Sequence, residues 1–261
     1  MLARRRQEVI LDRVRAEGSV RVSDLVEHLG VSDMTVRRDI AELSRQGLVD
    51  RVHGGATSSQ RRSSEEPGFA AKSSMQRTEK QAIGRLAASL VQPGAAVAIS
   101  AGTTTVEVAR ALVDVADLTV VTNSPPVAEI LYDPSRRDRT VVLSGGIRTP
   151  SDALVGPVAV RSLESLHVDH LFLGVHGISL RAGLTTPNLV EGDTDRALIT
   201  AAESVVVVAD STKWGVVGLA TIATLDEIDV LVTDSGLDPV ARQVLAEYAG
   251  EVLYAPSEET L

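Results

Sequence analysis

Val31-Ser32-Asp33-Met34-Thr35-Val36-Arg37-Arg38-Asp39 decides what kind of chain this is. Ser32 has the side chain of a helix N-cap, and Val36, Ile40 and Leu43 follow at i, i+4 and i+7, which gives a helix one apolar face. Met34, Thr35, Arg37 and Arg38 fall on the opposite side. Such a helix fits a DNA major groove, where arginine forks onto guanine or phosphate and threonine meets either. It reads sequence only if a second helix fixes its angle against the duplex. Val22, Leu25, Val26 and Leu29 supply a second apolar face just upstream, and Gly30 allows the tight break between the two. Two periodic segments around a glycine predict a helix-turn-helix, against the plainer alternative of a basic helical hairpin.

Working outward, Ile10, Leu11 and Val14 predict a first helix that stops near Gly18. Arg4, Arg5 and Arg6 at its start suit phosphate contacts that add affinity without sequence information; they equally suit a solvated charged terminus. Beyond Gly47, the β-prone residues around Asp50 and the pair Gly54-Gly55 predict a small hairpin, hence a winged variant of the motif. Arg51 and His53 would then lie on a wing, against DNA or simply exposed.

Composition is compatible with this reading. Hydrophobic residues make up 44% of 261, enough for a small module plus a larger packed domain, and aromatic residues only 2%, which disfavours stacking on single-stranded nucleic acid. The absence of cysteine removes disulfides and thiolate metal sites. No stretch approaches the ~20 apolar residues of a membrane span, and the N-terminus lacks a secretory pattern, so a soluble cytoplasmic protein is expected. The net charge of −9 divides unevenly: residues 1–62 hold 12 arginines, no lysine and 9 carboxylates, a net +3, and the rest, with 14 basic and 26 acidic residues, is −12. Repulsion of the acidic part from DNA would help orient the basic module toward it.

The expected division is a winged helix-turn-helix over 1–56, a linker over 57–75 and an α/β domain over 76–261. The run Thr57-Ser58-Ser59-Gln60-Arg61-Arg62-Ser63-Ser64 has no periodicity, as a linker requires. Ile83, Leu86, Ala87 and Leu90 mark a helix that ends before Pro93-Gly94. Apolar β-prone runs at 95–99, 118–121, 140–143, 170–173, 205–208 and 230–232 then alternate with helical segments, which indicates a largely parallel, Rossmann-like sheet covered on both faces. Ligands of such sheets bind beyond the carboxyl ends of the strands.

Those ends carry Gly102-Thr103-Thr104-Thr105, Thr122-Asn123-Ser124, Ser144-Gly145-Gly146, Gly174-Val175-His176-Gly177 and Asp210-Ser211-Thr212-Lys213. Glycine and successive threonines at a helix start offer N–H groups and hydroxyls suited to a phosphate, although ordinary N-capping looks the same. No Gly-Lys-Ser/Thr of a P-loop follows, and no G-x-G-x-x-G is present. Lys213 stands out because the chain has 3 lysines against 23 arginines; a compact ammonium after a buried strand suits a phosphate or sugar oxygen, the alternative being a surface lysine. His28, His53, His167, His170 and His176 form no ligand set, and Trp214 reads as a packing residue, so neither a metal nor a cofactor is expected.

Residues 4–56 resemble the N-terminal module of the DeoR family of transcription regulators, matching at Ile10, Gly18, Val22, Leu25, Val31, Ser32, Thr35, Arg37, Arg38, Asp39, Leu43, Gly47, Arg51, His53, Gly54, Gly55 and Ala56. Ile40 stands where that family usually has leucine. The later segments resemble the family's C-terminal sensor domain at Gly102-Thr103-Thr104, Thr122-Asn123-Ser124, Gly145-Gly146, Gly174 to Ile178, Gly183-Leu184-Thr185, Glu191, Arg196 and Asp210 to Lys213. That domain is related in fold to ribose-5-phosphate isomerases. The resemblance implies a regulator, usually a repressor, of carbohydrate genes. Its partners would be double-stranded operator DNA, a phosphorylated sugar effector and further copies of itself, as a dimer or tetramer. The residues and the resemblance together point to DNA contacts at Arg4, Arg5, Arg6, Ser32, Met34, Thr35, Arg37, Arg38, Arg51 and His53, and to effector contacts at Gly102, Thr103, Thr104, Thr105, Asn123, Gly145, Gly146, His176, Glu191, Arg196 and Lys213, with Asp39 as helix structure. Two departures bear on the ligand: the family usually has aspartate where Ser100 stands, and Lys-Arg where Asp195-Arg196 stands. The alternative is a DNA-tethered isomerase. The isomerases carry an Asp-Gly-Ala-Asp-Glu run that supplies carboxylates for proton transfer, whereas Gly174-Val175-His176-Gly177-Ile178 stands here, so no catalytic residue is expected.

Overall fold

The computed structural model of the chain describes residues 3–256, apart from 18, 46, 47, 53 and 59–67. It divides into two compact units, Met1–Arg62 and Ser63–Leu261.

In the first unit α1 (Ala3–Glu17), α2 (Val22–Leu29) and α3 (Asp33–Arg45) pack around Ile10, Val14, Leu25, Val36, Ile40 and Leu43, all buried. Each such side chain contributes roughly 1.5–3 kcal/mol on leaving water. Gly30 ends α2 in the left-handed region at φ 63°, which is why the turn before α3 is so short. The wing is a three-stranded antiparallel sheet ordered β1 (Ser19–Arg21), β3 (Gly55–Ser58), β2 (Val49–Val52). The sequence announces the β2–β3 hairpin but not β1, which is too short to show a period. Gly55 is required there, since a Cβ would sit 2.1 Å from the Val20 carbonyl oxygen.

The second unit opens with α4 (Phe69–Ser73) and α5 (Arg77–Ala88), then continues β4 (Ala96–Ile99), α6 (Thr103–Ala111), β5 (Leu118–Thr122), α7 (Pro125–Leu131), β6 (Arg139–Leu143), β7 (Ile147–Arg148), β8 (Leu154–Val155) and α8 (Pro157–Leu163). It ends with β9 (Val168–Gly174), β10 (Gly177–Ser179), β11 (Gly183–Thr186), α9 (Leu189–Thr200), β12 (Ala202–Val208), β13 (Ala220–Ala223), β14 (Val230–Asp234), α10 (Pro239–Tyr248) and β15 (Glu251–Ala255). Of the interval expected as a linker, residues 57 and 58 belong to β3 and Phe69–Ser73 to α4.

Seven parallel strands in the order β15-β14-β12-β9-β4-β5-β6 form the main sheet. Separate clusters cover its two faces, one around Leu171, Leu173, Val205 and Val207 and the other around Ile99, Val120, Phe172 and Val206. Alternate residues of one strand therefore face opposite layers, as the continuous apolar runs require. From β4 the chain winds outward through β5 and β6, then returns to β9 on the other side and continues through β12, β14 and β15. The topological switch lies between β4 and β9, where the carboxyl ends of an open α/β sheet form a crevice. A small antiparallel sheet, β10-β11-β13, and the β7–β8 hairpin lie outside the main sheet. No described helix is long and apolar enough to cross a membrane.

Candidate functional site

Two surfaces bear on function, one in each unit. On α3, Ser32 accepts the Thr35 N–H at 3.3 Å and shares a 2.9 Å hydrogen bond with its hydroxyl, so the helix starts where the N-cap rule places it. Val36, Ile40 and Leu43 are buried and Met34, Arg37 and Arg38 exposed. Met34 is 73% exposed, an apolar side chain held in water among the polar residues of the outward face. Arg37 forks onto Asp33 one turn earlier, which raises its already high pKa through the hydrogen bond and the carboxylate charge. Arg51 is exposed on β2, and Arg5 is exposed and paired with Glu8 at 3.2 Å.

Arg6 corrects the expectation. Its guanidinium donates to Asp39 at 2.8 Å, with both side chains nearly sequestered, and Gln7 adds a 3.4 Å hydrogen bond to the same carboxylate. Arg6 thus ties α1 to α3 and is not presented to phosphate; Asp39 holds the helix in place. The Arg4 side chain and His53, both expected at the DNA, lie outside the described residues.

In the second unit, a cleft lies at the switch between β4 and β9. Its lining includes Gly102, Thr103, Thr104, Asn123, His176, Glu191 and Lys213 among the expected residues, together with Lys72, Ser151, Thr186 and Asp195. Most come from a strand end or a helix start; Lys72 comes from the last turn of α4, Ser151 from the β7–β8 loop and Asp195 from the middle of α9. Gly102 is the N-cap of α6 and offers no side-chain acceptor, so the first N–H groups of that helix open toward the cleft with the positive end of its dipole. Asn123 follows β5; its Oδ1 accepts the Ala101 N–H at 2.8 Å and its Nδ2 donates to the Leu154 carbonyl at 3.3 Å, bracing two loops of the rim. Lys213 ends a single 3₁₀ turn, Ser211–Lys213, whose N-cap Asp210 accepts the Thr212 N–H at 3.2 Å while Asp234 accepts the Ser211 N–H at 2.7 Å.

Glu191 is buried on α9, where its carboxylate accepts hydroxyls from Thr149 at 2.6 Å, from Thr186 at 3.4 Å and from Ser151. Asp195, one turn later, faces the same cleft.

Four expected residues stand elsewhere. Thr105 is fully buried and donates to the Gly102 carbonyl at 2.9 Å, shaping the loop behind the cleft. Gly145 and Gly146, at φ 70° and 120°, turn the chain after β6, and a Cβ on Gly146 would fall 2.6 Å from the Val155 carbonyl oxygen; they allow a close backbone crossing at the β7–β8 hairpin. Arg196 is not part of the cleft lining and is bonded to Asp193 at 2.7 Å and to the Thr221 carbonyl. Ser100, one of the two departures, is buried and accepts the Gly174 N–H at 2.9 Å, stitching β4 to β9.

Sequence reasoning missed Lys72, Ser151 and Thr186, and it marked Asp195 only as a departure bearing on the ligand. Lys72 sits in a stretch read as linker, yet the rarity that singled out Lys213 applies to it equally.

Comparison with known proteins agrees with both halves. Residues 6–62 match the family described as DeoR-like helix-turn-helix domain and residues 75–235 the DeoR C terminal sensor domain. The chain is 37% identical over 259 residues to the uncharacterized HTH-type transcriptional regulator YgbI of Escherichia coli K12, covering 99% of this chain and 100% of the other. It is 31% identical to the glycerol-3-phosphate regulon repressor of the same organism, covering 93% and 95%. Among solved structures, ribose 5 phosphate isomerase A from Neisseria gonorrhoeae is 18% identical with a TM-score of 0.37, over 54% of each chain.

Proposed function

The chain belongs to the DeoR family of transcriptional regulators, and we propose that it represses carbohydrate genes by binding their operator through α3, with release controlled by a phosphorylated sugar in the cleft. The observation that carries the effector half is the convergence, in one cleft, of the open α6 N-terminus with Lys72 and Lys213, while Asn123, Glu191 and Asp195 line the same space. The first group suits a phosphate and the second the hydroxyls of a sugar. Asp195 sets this cleft apart from relatives with a lysine there and selects against a second anionic group on the ligand near α9.

The cleft is read as a binding site without turnover. Glu191 is engaged by three hydroxyls and Asp210 by its own turn, which leaves neither poised as a general base. Two copies would present paired recognition helices to a repeated or palindromic operator, in the cytoplasm where that operator is found.

Couplings between sites are typically about 1–3 kcal/mol, a change of about 5- to 150-fold in DNA affinity. A mobility-shift titration of the neighbouring promoter with ribose, fructose and glycerol phosphates tests the proposal. A shifted complex that dissolves with one of them is expected. A complex indifferent to every phosphate rejects the effector, and turnover of the phosphate would favour the isomerase alternative.

A further inference from the structure

All three lysines of the chain, Lys72, Lys80 and Lys213, belong to the second unit. Two of them line the cleft. Lys80, on α5, is 3% exposed, and its Nζ donates to the carbonyls of Lys72 at 2.8 Å and Met75 at 2.6 Å. It therefore sits beneath the segment that carries Lys72 to the cleft. Together with Thr103 it lines a cavity of about 340 Å³, and Thr103 lines the cleft as well, so the two spaces share that residue.

A buried ammonium is costly unless a carboxylate balances it. Among the described residues none forms an ion pair with Lys80. The charged groups around it are Lys72 from α4, Glu107 from α6, and Asp210 and Lys213 from the turn after β12; Arg77, Arg110 and Glu129 line the same cavity. Burial pushes its pKa down to about 8, with Asp210 and Glu107 pulling it back up and Lys213 and Lys72 pressing it further down. A neutral amine still has two N–H groups, enough for both carbonyls. Lys80 can thus exchange its proton without moving.

We infer that Lys80 is a third cation buried beside the effector cleft, and that a phosphate dianion binding next to Lys72 and Lys213 draws a proton onto its amine. The inference rests on the reading of the cleft as a phosphate site. A dianion offsets the two ammonium charges that disfavour protonation of Lys80, and a nearby opposite charge raises the pKa of an amine, typically by about 1–3 units. Affinity for the effector then falls as pH rises above about 8, while the phosphate itself, with a second pKa near ~6, stays a dianion.

The test is isothermal titration calorimetry of the full chain with ribose 5-phosphate, fructose 1-phosphate and glycerol 3-phosphate, in buffers of different ionisation heat. Uptake of about half a proton per bound ligand is expected at pH ~8, and about a tenth at pH ~7. In Lys80→Arg, which stays charged throughout, the uptake vanishes; Lys80→Met serves the same purpose if the arginine does not fit. His176 lines the cleft as well, so His176→Gln is measured in parallel and retains the uptake. Binding without proton uptake at pH ~8, or uptake that disappears with His176 instead, overturns the inference alone. If no probe binds, the phosphate reading fails and the inference with it.

Discussion

The first unit carries arginine alone, turned outward on its recognition helix, and the second carries all three lysines of the chain, gathered at its cleft. Residues 1–62 hold 12 arginines and no lysine, and on α3 the arginines stand exposed on the face opposite the core. Beyond them, two lysines line the cleft and the third is buried beside it. The difference follows from side-chain chemistry. A guanidinium is a planar fork whose charge barely depends on its surroundings, so it reads external groups the same way in every solvent. An ammonium is a compact charge whose proton affinity answers to burial and to neighbours, which suits a pocket that must register what has entered it. Arg6 is the exception, and it is a structural one.

Breaking that exception should produce the largest effect. In Arg6→Ala the Asp39 carboxylate stays buried without its partner, and such a loss costs about 3–5 kcal/mol. The first unit should unfold at markedly lower urea concentration than the second, and the double variant Arg6→Ala with Asp39→Asn should recover part of the loss. Unchanged unfolding would return Arg6 to the DNA surface. Next in size come the outward arginines. Arg38→Ala should weaken operator binding by about 1–3 kcal/mol, measured by anisotropy at fixed salt. Arg37→Ala should cost less, because Asp33 already occupies that guanidinium in the free protein. A reversed order would mean that the Arg37 pair opens on DNA. For the inward lysines, Lys213→Ala should abolish the effect of sugar phosphate on the operator complex; a normal response would exclude Lys213 from the cleft's chemistry.

The same contrast explains what the sequence made legible. The valine, leucine and isoleucine periods of α2 and α3 survive because each helix buries one stripe, and the parallel strands appear as apolar runs because both faces are covered. Short antiparallel pieces such as β1, β7 and β8 leave no period to find. Strand-end residues were identifiable as a class, since the fold sends ligands to those ends. Which of them face the cleft was not, because Thr104 and Thr105 are successive positions of α6 that point roughly 100° apart, and the phase of that helix against the cleft is set by packing. Gly145 and Gly146 resembled a ligand loop because a tight backbone crossing and a phosphate cradle both demand glycine.

The smallest expected effect concerns stability and isolates Lys80 from every other group. Its pKa is about 8 in the folded chain against an ordinary value of 10.5. Below pH 8 both folded and unfolded states hold the proton, and the cost of the buried charge is fully present. Between pH 8 and 10.5 the unfolded chain keeps a proton that the folded chain has shed, so stability rises with pH across that window. The unfolding midpoint of the wild-type second unit should therefore climb between pH 8 and 10 relative to Lys80→Met, and saturating ribose 5-phosphate should flatten the climb by holding the proton in place. Two curves that stay parallel across this range would mean that the Lys80 ammonium is balanced in the folded chain, and the contrast between outward arginine and inward lysine would then lose its energetic basis.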